Sequence, residues 1–336
     1  MPLGAPPRER RLVSLALLFS PQGSQAVGMG QELAKSSPPA RAVYELADAA
    51  LGWGVSAACW NGPEDRLNDT RQTQPCLVAT SIACLEALRE ASAAAGAPIS
   101  AAFVAGHSVG EYAALAAAGV LSAADALRLV ALRGSLMAEA VAGGGMVAVI
   151  GLDRGIIEET IHGVAARESL VVANDNAPGQ VVISGTASAL AAAEQPLRAA
   201  GAKRLIALRV SGPFHSPAMA PVGEALSKAF GSVNWSDADP PILSNVTGEP
   251  VREAARLGEL LARQVSSPVE WVASVRRMVD EGVDTFVECG PGAALTGMVR
   301  RIAPEARTLN VADPATLEAT IAALGEAGRV PARASV

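Results

Sequence analysis

The stretch Gly106-His107-Ser108-Val109-Gly110 constrains this chain more than any other. It is a G-x-S-x-G with an apolar run before it, Ala101 to Ala105, and an alanine-rich, helix-forming run after it, Tyr112 to Ala118. Strand, tight turn and helix in that order are what a nucleophile elbow requires. The turn exposes the serine at the end of a strand, and a glycine on each side leaves room for the bend. The following helix brings backbone N–H groups and a positive dipole end close to the serine oxygen. In a chain with 32 glycines the five-residue pattern alone arises by chance. It is the flanking strand and helix that nominate Ser108 as a nucleophile rather than as a structural turn serine.

A chain of 336 residues, half of them hydrophobic, forms one large or two medium domains with a sizeable core. Aromatics are only 3% and alanine, valine and leucine dominate, which suits helices packed on a buried sheet better than a β-sandwich. A net charge of −6 argues against non-specific nucleic-acid binding. Cys59, Cys76, Cys84 and Cys289 show no C-x-x-C spacing and no histidine cluster, so neither a metal site nor a disulfide framework is expected, and a cytoplasmic, reducing setting fits. Arg8, Arg10 and Arg11 followed by the apolar residues 12–19 imitate a signal peptide. The run is short, however, and Ser20-Pro21-Gln22-Gly23-Ser24-Gln25 is a poor cleavage site; a buried first strand of a parallel sheet has the same appearance. No other run approaches the length of a membrane span.

In chain order, strand 12–19 leads into a Gly/Ser/Gln loop and helical stretches near 29–35 and 39–52. Pro75 sits well in the first turn of a long apolar helix reaching about Ser92. After the elbow comes a helix from about Ser122, a plausible N-cap, to Ala140. The pattern changes at Gly143-Gly144-Gly145. Strand 146–151, helix 153–164, strand 169–174, strand 180–185, helix 187–199 and strand 203–209 follow, with the turn formers Asn174 to Gly179 joining the inner strands. That βαββαβ order is the ferredoxin-like motif. The reading is therefore an α/β chain with a discontinuous core, 1–142 and 211–325, a ferredoxin-like insert at 143–210, and a loose tail at 326–336. In the second part of the core, helices are expected near 253–265 and 269–281, then strand 284–288 and a helix from about Ala293.

A nucleophilic serine needs a base, and the chain has three histidines. His107 lies in the elbow itself, so its side chain leaves the turn in another direction. His162 falls on a helix of the insert and reads as a surface residue. His215, in the loop Val210-Ser211-Gly212-Pro213-Phe214-His215 where the chain returns from the insert, remains as the general base. A third member is open: Asp153 and Asp175 are available, and a backbone carbonyl also fixes an imidazole tautomer.

Several segments together resemble a known family: Gln22-Gly23-Ser24-Gln25, Gln72-Thr73-Gln74-Pro75, Gly106 to Tyr112, Arg133-Gly134, Pro178-Gly179-Gln180-Val181-Val182-Ile183-Ser184-Gly185, Pro213-Phe214-His215-Ser216 and Glu288-Cys289-Gly290-Pro291-Gly292. They look like the malonyl-CoA:acyl carrier protein transacylases, a family that includes the acyltransferase domains of polyketide synthases, and they run in its order over nearly the whole chain. The resemblance implies an α/β-hydrolase-like core with a ferredoxin-like insert. It implies that Ser108 attacks a thioester carbonyl, that His215 moves the proton, and that the backbone N–H groups of Val109 and Gln22 hold the oxyanion. It places the carbonyl that orients the histidine at Glu270, and it makes Arg133 the grip on the malonyl carboxylate, where a planar fork pairs in a way lysine does not.

By the same resemblance Phe214 crowds an α-methyl branch and favours malonyl over methylmalonyl, and Gln74, His107 and Met137 line the acyl pocket, although Met137 also reads as ordinary core. The family has Pro-Gly-Gln-Gly-Ser-Gln after its first strand. Here Pro21 replaces that glycine, which restricts the backbone before Gln22 and bears on the balance of hydrolysis and transfer. The implied partners are malonyl-CoA and an acyl carrier protein, which brings its own phosphopantetheine; no other cofactor, no metal, no membrane and no nucleic acid are implied, and a monomer is expected. Carrier proteins of this kind are acidic, so Lys203, Arg204, Arg276, Arg277, Arg300 and Arg301 are candidates for docking, or are simply solvated helix faces. Three readings follow: a malonyltransferase of fatty-acid or polyketide synthesis (including a discrete polyketide acyltransferase with another acyl unit), an acyl-thioester hydrolase on the same scaffold, and a non-catalytic carrier-binding module. The intact set Ser108, His215 and Arg133 speaks against the last.

Overall fold

The computed structural model describes residues 14–140, 143–164 and 169–326. The basic stretch at Arg8 to Arg11, the first two residues of the expected strand 12–19, and all of the expected tail beyond Glu326 lie outside the described residues. Ten strands are present among them: β1 (Ser14–Phe19), β2 (Phe103–Gly106), β3 (Gly144–Ile150), β4 (Leu170–Ala177), β5 (Gln180–Thr186), β6 (Arg204–Ala207), β7 (Ile242–Leu243), β8 (Pro250–Val251), β9 (Val283–Cys289) and β10 (Arg307–Val311). Six of them form one sheet in the order β10-β9-β1-β2-β7-β8, parallel except for the edge pair β7/β8. The other four form an antiparallel sheet ordered β4-β5-β3-β6, which is ferredoxin-like.

Strand β1 shows why the large sheet is central. Leu15, Leu17 and Phe19 point into one apolar cluster with the long helix Thr70–Ala94, while Ala16 and Leu18 point into another with Trp271, Phe286 and Leu295. A strand buried on both faces reads as the unbroken apolar run seen in the sequence. Register aligns Phe19 with Gly106 on one side and with Cys289 on the other, so the carboxyl ends of β1, β2 and β9 meet at one edge. Sites in open parallel sheets gather at that edge.

Two expectations need correction. The long helix starts at Thr70, with Asp69 accepting from the Arg71 N–H at 2.9 Å, so Pro75 lies inside it rather than in its first turn. Asn174, Asp175 and Asn176 belong to strand β4, not to the turn, which shrinks to Pro178-Gly179. The competing force is pairing across the seam between the two sheets: the Asp175 N–H donates to the Val269 carbonyl at 3.0 Å and the Val269 N–H to the Ala173 carbonyl at 2.8 Å. Register shifts on both sides of this segment re-aim its side chains. The helices Val55–Asn61 and Ala220–Phe230 and the closing unit β10 with helix Pro314–Glu326 are further elements that patterning left unassigned.

The elbow glycines are set by close approach. A Cβ on Gly106 would lie 2.0 Å from the Gly110 carbonyl carbon, and one on Gly110 would lie 2.2 Å from the Phe19 carbonyl oxygen. Both obstacles are backbone, so neither yields cheaply. Gly110→Ala is expected to destabilise the fold by about 1–3 kcal/mol, as overpacking does, and the shift in denaturant midpoint measures it; an unchanged midpoint contradicts this account of the elbow.

Candidate active site

Ser108 has φ 51° and His215 has φ 58°, and among the described residues they alone combine a side chain with a left-handed backbone. Such conformations cost about 1–2 kcal/mol for an L-residue and persist where surrounding structure enforces them. At Ser108 the enforcer is Asn245, at the end of β7. Its Oδ1 accepts from the Ser108 N–H at 2.6 Å and its Nδ2 donates to the Gly106 carbonyl at 2.6 Å. At His215 the backbone N–H donates to the Val265 carbonyl at 2.9 Å.

These two strained residues meet. Ser108 Oγ lies 2.8 Å from His215 Nε2. Nδ1 of the same ring faces two main-chain carbonyls, Gln264 at 3.0 Å and Ser267 at 3.1 Å. Carbonyls only accept, so Nδ1 carries the proton and Nε2 is the bare nitrogen toward the serine. The expected orienting carbonyl at Glu270 is thereby corrected. That carbonyl accepts from the N–H of Ser274 at 2.9 Å and caps its own helix, while Gln264 and Ser267, on the loop before it, face the ring. Neither Asp153 nor Asp175 is bonded to the ring; Asp175 pairs with Arg154 at 3.6 Å.

Arg133 comes from the helix Ala123–Glu139, which Ser122 caps by accepting from the Asp125 N–H at 3.0 Å. Its side chain is buried, at 1% exposure, and reaches the serine: Nη2 donates to Ser108 Oγ at 3.0 Å and to Gln264 Oε1 at 2.9 Å. Nη1 donates to Gln74 Oε1 at 2.8 Å, and Gln74 Nε2 lies 3.4 Å from the Met137 sulfur. A helix arginine aimed inward, toward neutral amides, is not a solvated face. Gln264 Nε2 in turn donates to the Ser108 carbonyl at 2.9 Å and makes a short bond to the Glu111 carboxylate.

The remaining nominated residues divide. A pocket of about 420 Å³ is lined by Gln22, His107, Ser108, Met137, Phe214 and His215, together with Pro21, Met146, Asn174 and Arg209. His107 is held at its Nε2 by Asn176 Oδ1 at 2.7 Å and packs on Trp271. Val109 is fully buried beneath the serine, on the short 3-10 turn Ser108–Gly110. The six basic residues nominated for docking do not line this pocket; Arg209 does. Lys203 and Arg204 sit beside Ile150, at the far end of β3 and β6 from Met146 and Leu208, on the order of 10–15 Å away along the strands. Arg277 is paired with Glu249 and Glu281, Arg300 bonds Thr308, and Arg301 holds the Pro178-Gly179 hairpin through the Pro178 carbonyl and Gln180. Arg276 is exposed, on a groove with Asp284 and Pro304.

Sequence reasoning missed Asn245 and Gln264 and gave Glu111 no role. One signal was available. In the amphipathic helix Ala254–Gln264 the buried stripe runs Leu257, Leu260, Leu261, Gln264, and a polar residue at the end of an apolar stripe must have a partner.

The chain belongs to the class of α/β proteins that carry a serine–histidine pair at a nucleophile elbow. Within that class its sequence matches the acyl transferase domain over residues 16–319. It is 42% identical over 315 residues to the malonyl CoA-acyl carrier protein transacylase of Bacillus subtilis (strain 168), covering 93% of this chain and 98% of that one. Among solved structures it superposes with a TM-score of 0.87 on an acyl carrier protein S-malonyltransferase from Vibrio cholerae, at 37% identity over 91% of this chain and 99% of that one. A malonyl-transacylase solved in complex with its type II PKS acyl-carrier protein superposes with a TM-score of 0.86, again at 37% identity, over 91% and 98% of the two chains. The chain is therefore a member of the acyl transferase family.

Burial sets the ionisation of the site. It pushes His215 down to about 3, helped by the neighbouring Arg133 charge, and His107 down to about 4. Burial pushes the Glu111 carboxyl up to about 7, against the opposing pull of Gln264, Asn245 and Arg133. For the histidines the unfolded chain binds protons that the native one refuses, so their neutral burial costs stability as pH falls from about 6.5 toward these values. Glu111 has the opposite sign: the native carboxyl keeps a proton the unfolded one releases, and that contribution is lost as pH rises from 4.5 through about 7. NMR titration is expected to find the His107 and His215 rings neutral at about pH 5, where an ordinary imidazole is largely protonated; a protonated His215 there contradicts the burial argument.

Proposed function

We propose that this chain moves a malonyl group from malonyl-CoA to the phosphopantetheine thiol of an acyl carrier protein by way of a malonyl ester on Ser108. The observation that carries the reading is the guanidinium of Arg133, buried and within 3.0 Å of the Ser108 oxygen. A carboxylate at the far end of a short acyl group on that oxygen lies within reach of the fork. Hydrogen bonds to a charged partner contribute roughly 1.5–3 kcal/mol, which favours malonyl over acetyl by one to two orders of magnitude. Phe214, buried on the pocket wall beside the base, supports malonyl over branched diacids.

In the first half-reaction His215 Nε2 takes the Ser108 proton as Oγ bonds to the thioester carbonyl carbon. The oxyanion is held by the backbone N–H groups of Gln22 and Val109; the Ser108 N–H is committed to Asn245 and is not a donor. Collapse breaks the C–S bond, and the imidazolium returns its proton to the CoA sulfur. The second half runs the same steps in reverse with the carrier's thiol as nucleophile, restoring the Ser108 hydroxyl. Every step uses side chains and backbone of one chain, which supports a monomer as the working unit. Four buried, unpaired cysteine thiols support a cytoplasmic setting. That a similar transacylase has been solved with a carrier protein supports the choice of acceptor.

Labelled malonyl-CoA tests the reading. Stable label on the enzyme, absent in Ser108→Ala and discharged only when carrier protein is added, is the expected result; rapid release of free malonate makes the chain a hydrolase, a balance on which Pro21 beside Gln22 bears directly. Arg133→Ala is expected to lower the malonyl-to-acetyl ratio of loading by about 10- to 100-fold, and an unchanged ratio removes Arg133 from its role. For docking, charge reversal at Lys203 and Arg204 is expected to raise KM for carrier protein and to spare loading from malonyl-CoA; equal loss in both half-reactions counts against a docking role.

A further inference from the structure

We infer that Glu111 is a positioning residue for acyl-group selection, acting on Arg133 through the side-chain amide of Gln264. The inference rests on the reading of Arg133 as the carboxylate grip. Glu111 is the first residue of the helix Glu111–Ala117 that follows the elbow, and it is 3% exposed in a stretch otherwise apolar. It does not line the pocket, and the hydrogen bonds of its carboxylate go to Gln264 and Asn245 rather than to Arg133. One oxygen accepts from Gln264 Nε2 and the other from the Asn245 backbone N–H at 3.4 Å.

Gln264 has one acceptor end and one donor end, and its surroundings decide which way they point. The Ser108 carbonyl and the Glu111 carboxylate are both acceptors and take its two N–H bonds, which leaves Oε1 for Arg133 at 2.9 Å. Gln74 supports the other guanidinium nitrogen at 2.8 Å. Without Glu111 one buried N–H of Gln264 has no partner, and the amide is drawn out of the orientation that holds the fork toward the serine. The chemistry itself is anchored elsewhere. His215 is oriented by the backbone carbonyls of Gln264 and Ser267, and the elbow by the two short bonds of Asn245, to which the Gln264 side chain adds one bond at the Ser108 carbonyl. The same glutamine thus serves proton transfer with its main chain and substrate choice with its side chain.

The test measures acyl-enzyme formation from malonyl-CoA and from acetyl-CoA, with thermal unfolding alongside, in the full chain and in Glu111→Leu, Glu111→Gln, Gln264→Leu, the Glu111→Leu/Gln264→Leu double variant and Arg133→Ala. The malonyl-to-acetyl ratio is expected to fall roughly tenfold in each of the two leucine variants and no further in the double, as for residues acting through one contact. Glu111→Gln, which keeps an acceptor for Gln264, is expected to restore most of the ratio, whereas a packing defect would depress both substrates alike. An unchanged ratio in Glu111→Leu, or two losses that multiply in the double variant, overturns the inference. If Glu111→Leu does not fold, Glu111→Met, which also offers Gln264 no carboxyl acceptor, takes its place, and an unchanged ratio there overturns the inference equally. A ratio that falls in Arg133→Ala but not in Glu111→Leu refutes this inference alone; a ratio unmoved in Arg133→Ala refutes the reading beneath it.

Discussion

The structure depends on how one positive charge is kept in a nearly dry interior. Among the described residues no carboxylate oxygen comes within ion-pair distance of Arg133, and burial alone lowers its affinity for a proton. Instead two neutral amides, a hydroxyl and the face of Tyr112, 5.9 Å from the guanidinium carbon, surround it. Burying a charge with hydrogen bonds but no ion-paired partner is costly, and the nearby Tyr112 and Glu111 offset that only in part. The long helix supplies Gln74, the helix after the elbow supplies Tyr112 and Glu111, and the helix Ala254–Gln264 supplies its last side chain, so three packed helices converge on that charge. Under the role proposed for Arg133, a carboxylate on the substrate completes its set of partners.

Much of the architecture was legible because it rests on local chemistry. The βαββαβ order of the insert followed from turn formers and alternation, and the helix Ala187–Ala199 was read to the residue. The elbow was legible because Gly106 and Gly110 answer a steric demand that a five-residue window contains. Ser122 announced its helix by a cap that spans three residues.

What stayed hidden depends on contacts between segments far apart in the chain. Asn174 to Asn176 have turn composition, yet the loop at Val269 pairs with them and draws them into a strand. Pro75 is a good helix starter, but Asp69 caps six residues earlier and the proline is carried inside. The carbonyl facing His215 was placed at Glu270, three to six residues beyond its true position at Gln264 and Ser267, because main-chain acceptors leave no trace in side-chain identity. Asn245 and Gln264 lie 137 and 156 positions from the serine they touch, and nothing local ties them to it.

The seam between the two sheets carries a consequence of its own. Main-chain bonds stitch β4 to the segment at Val269, and Arg154 on the insert clasps Glu270 of the core through both oxygens, one at 3.0 Å. Bonded in this way, the insert is tied to the core along one edge of the site by main-chain bonds and an ion pair. The stitched residues Val269 and Glu270 lie two and three positions after Ser267, whose carbonyl faces His215, so one loop braces both the insert and the base.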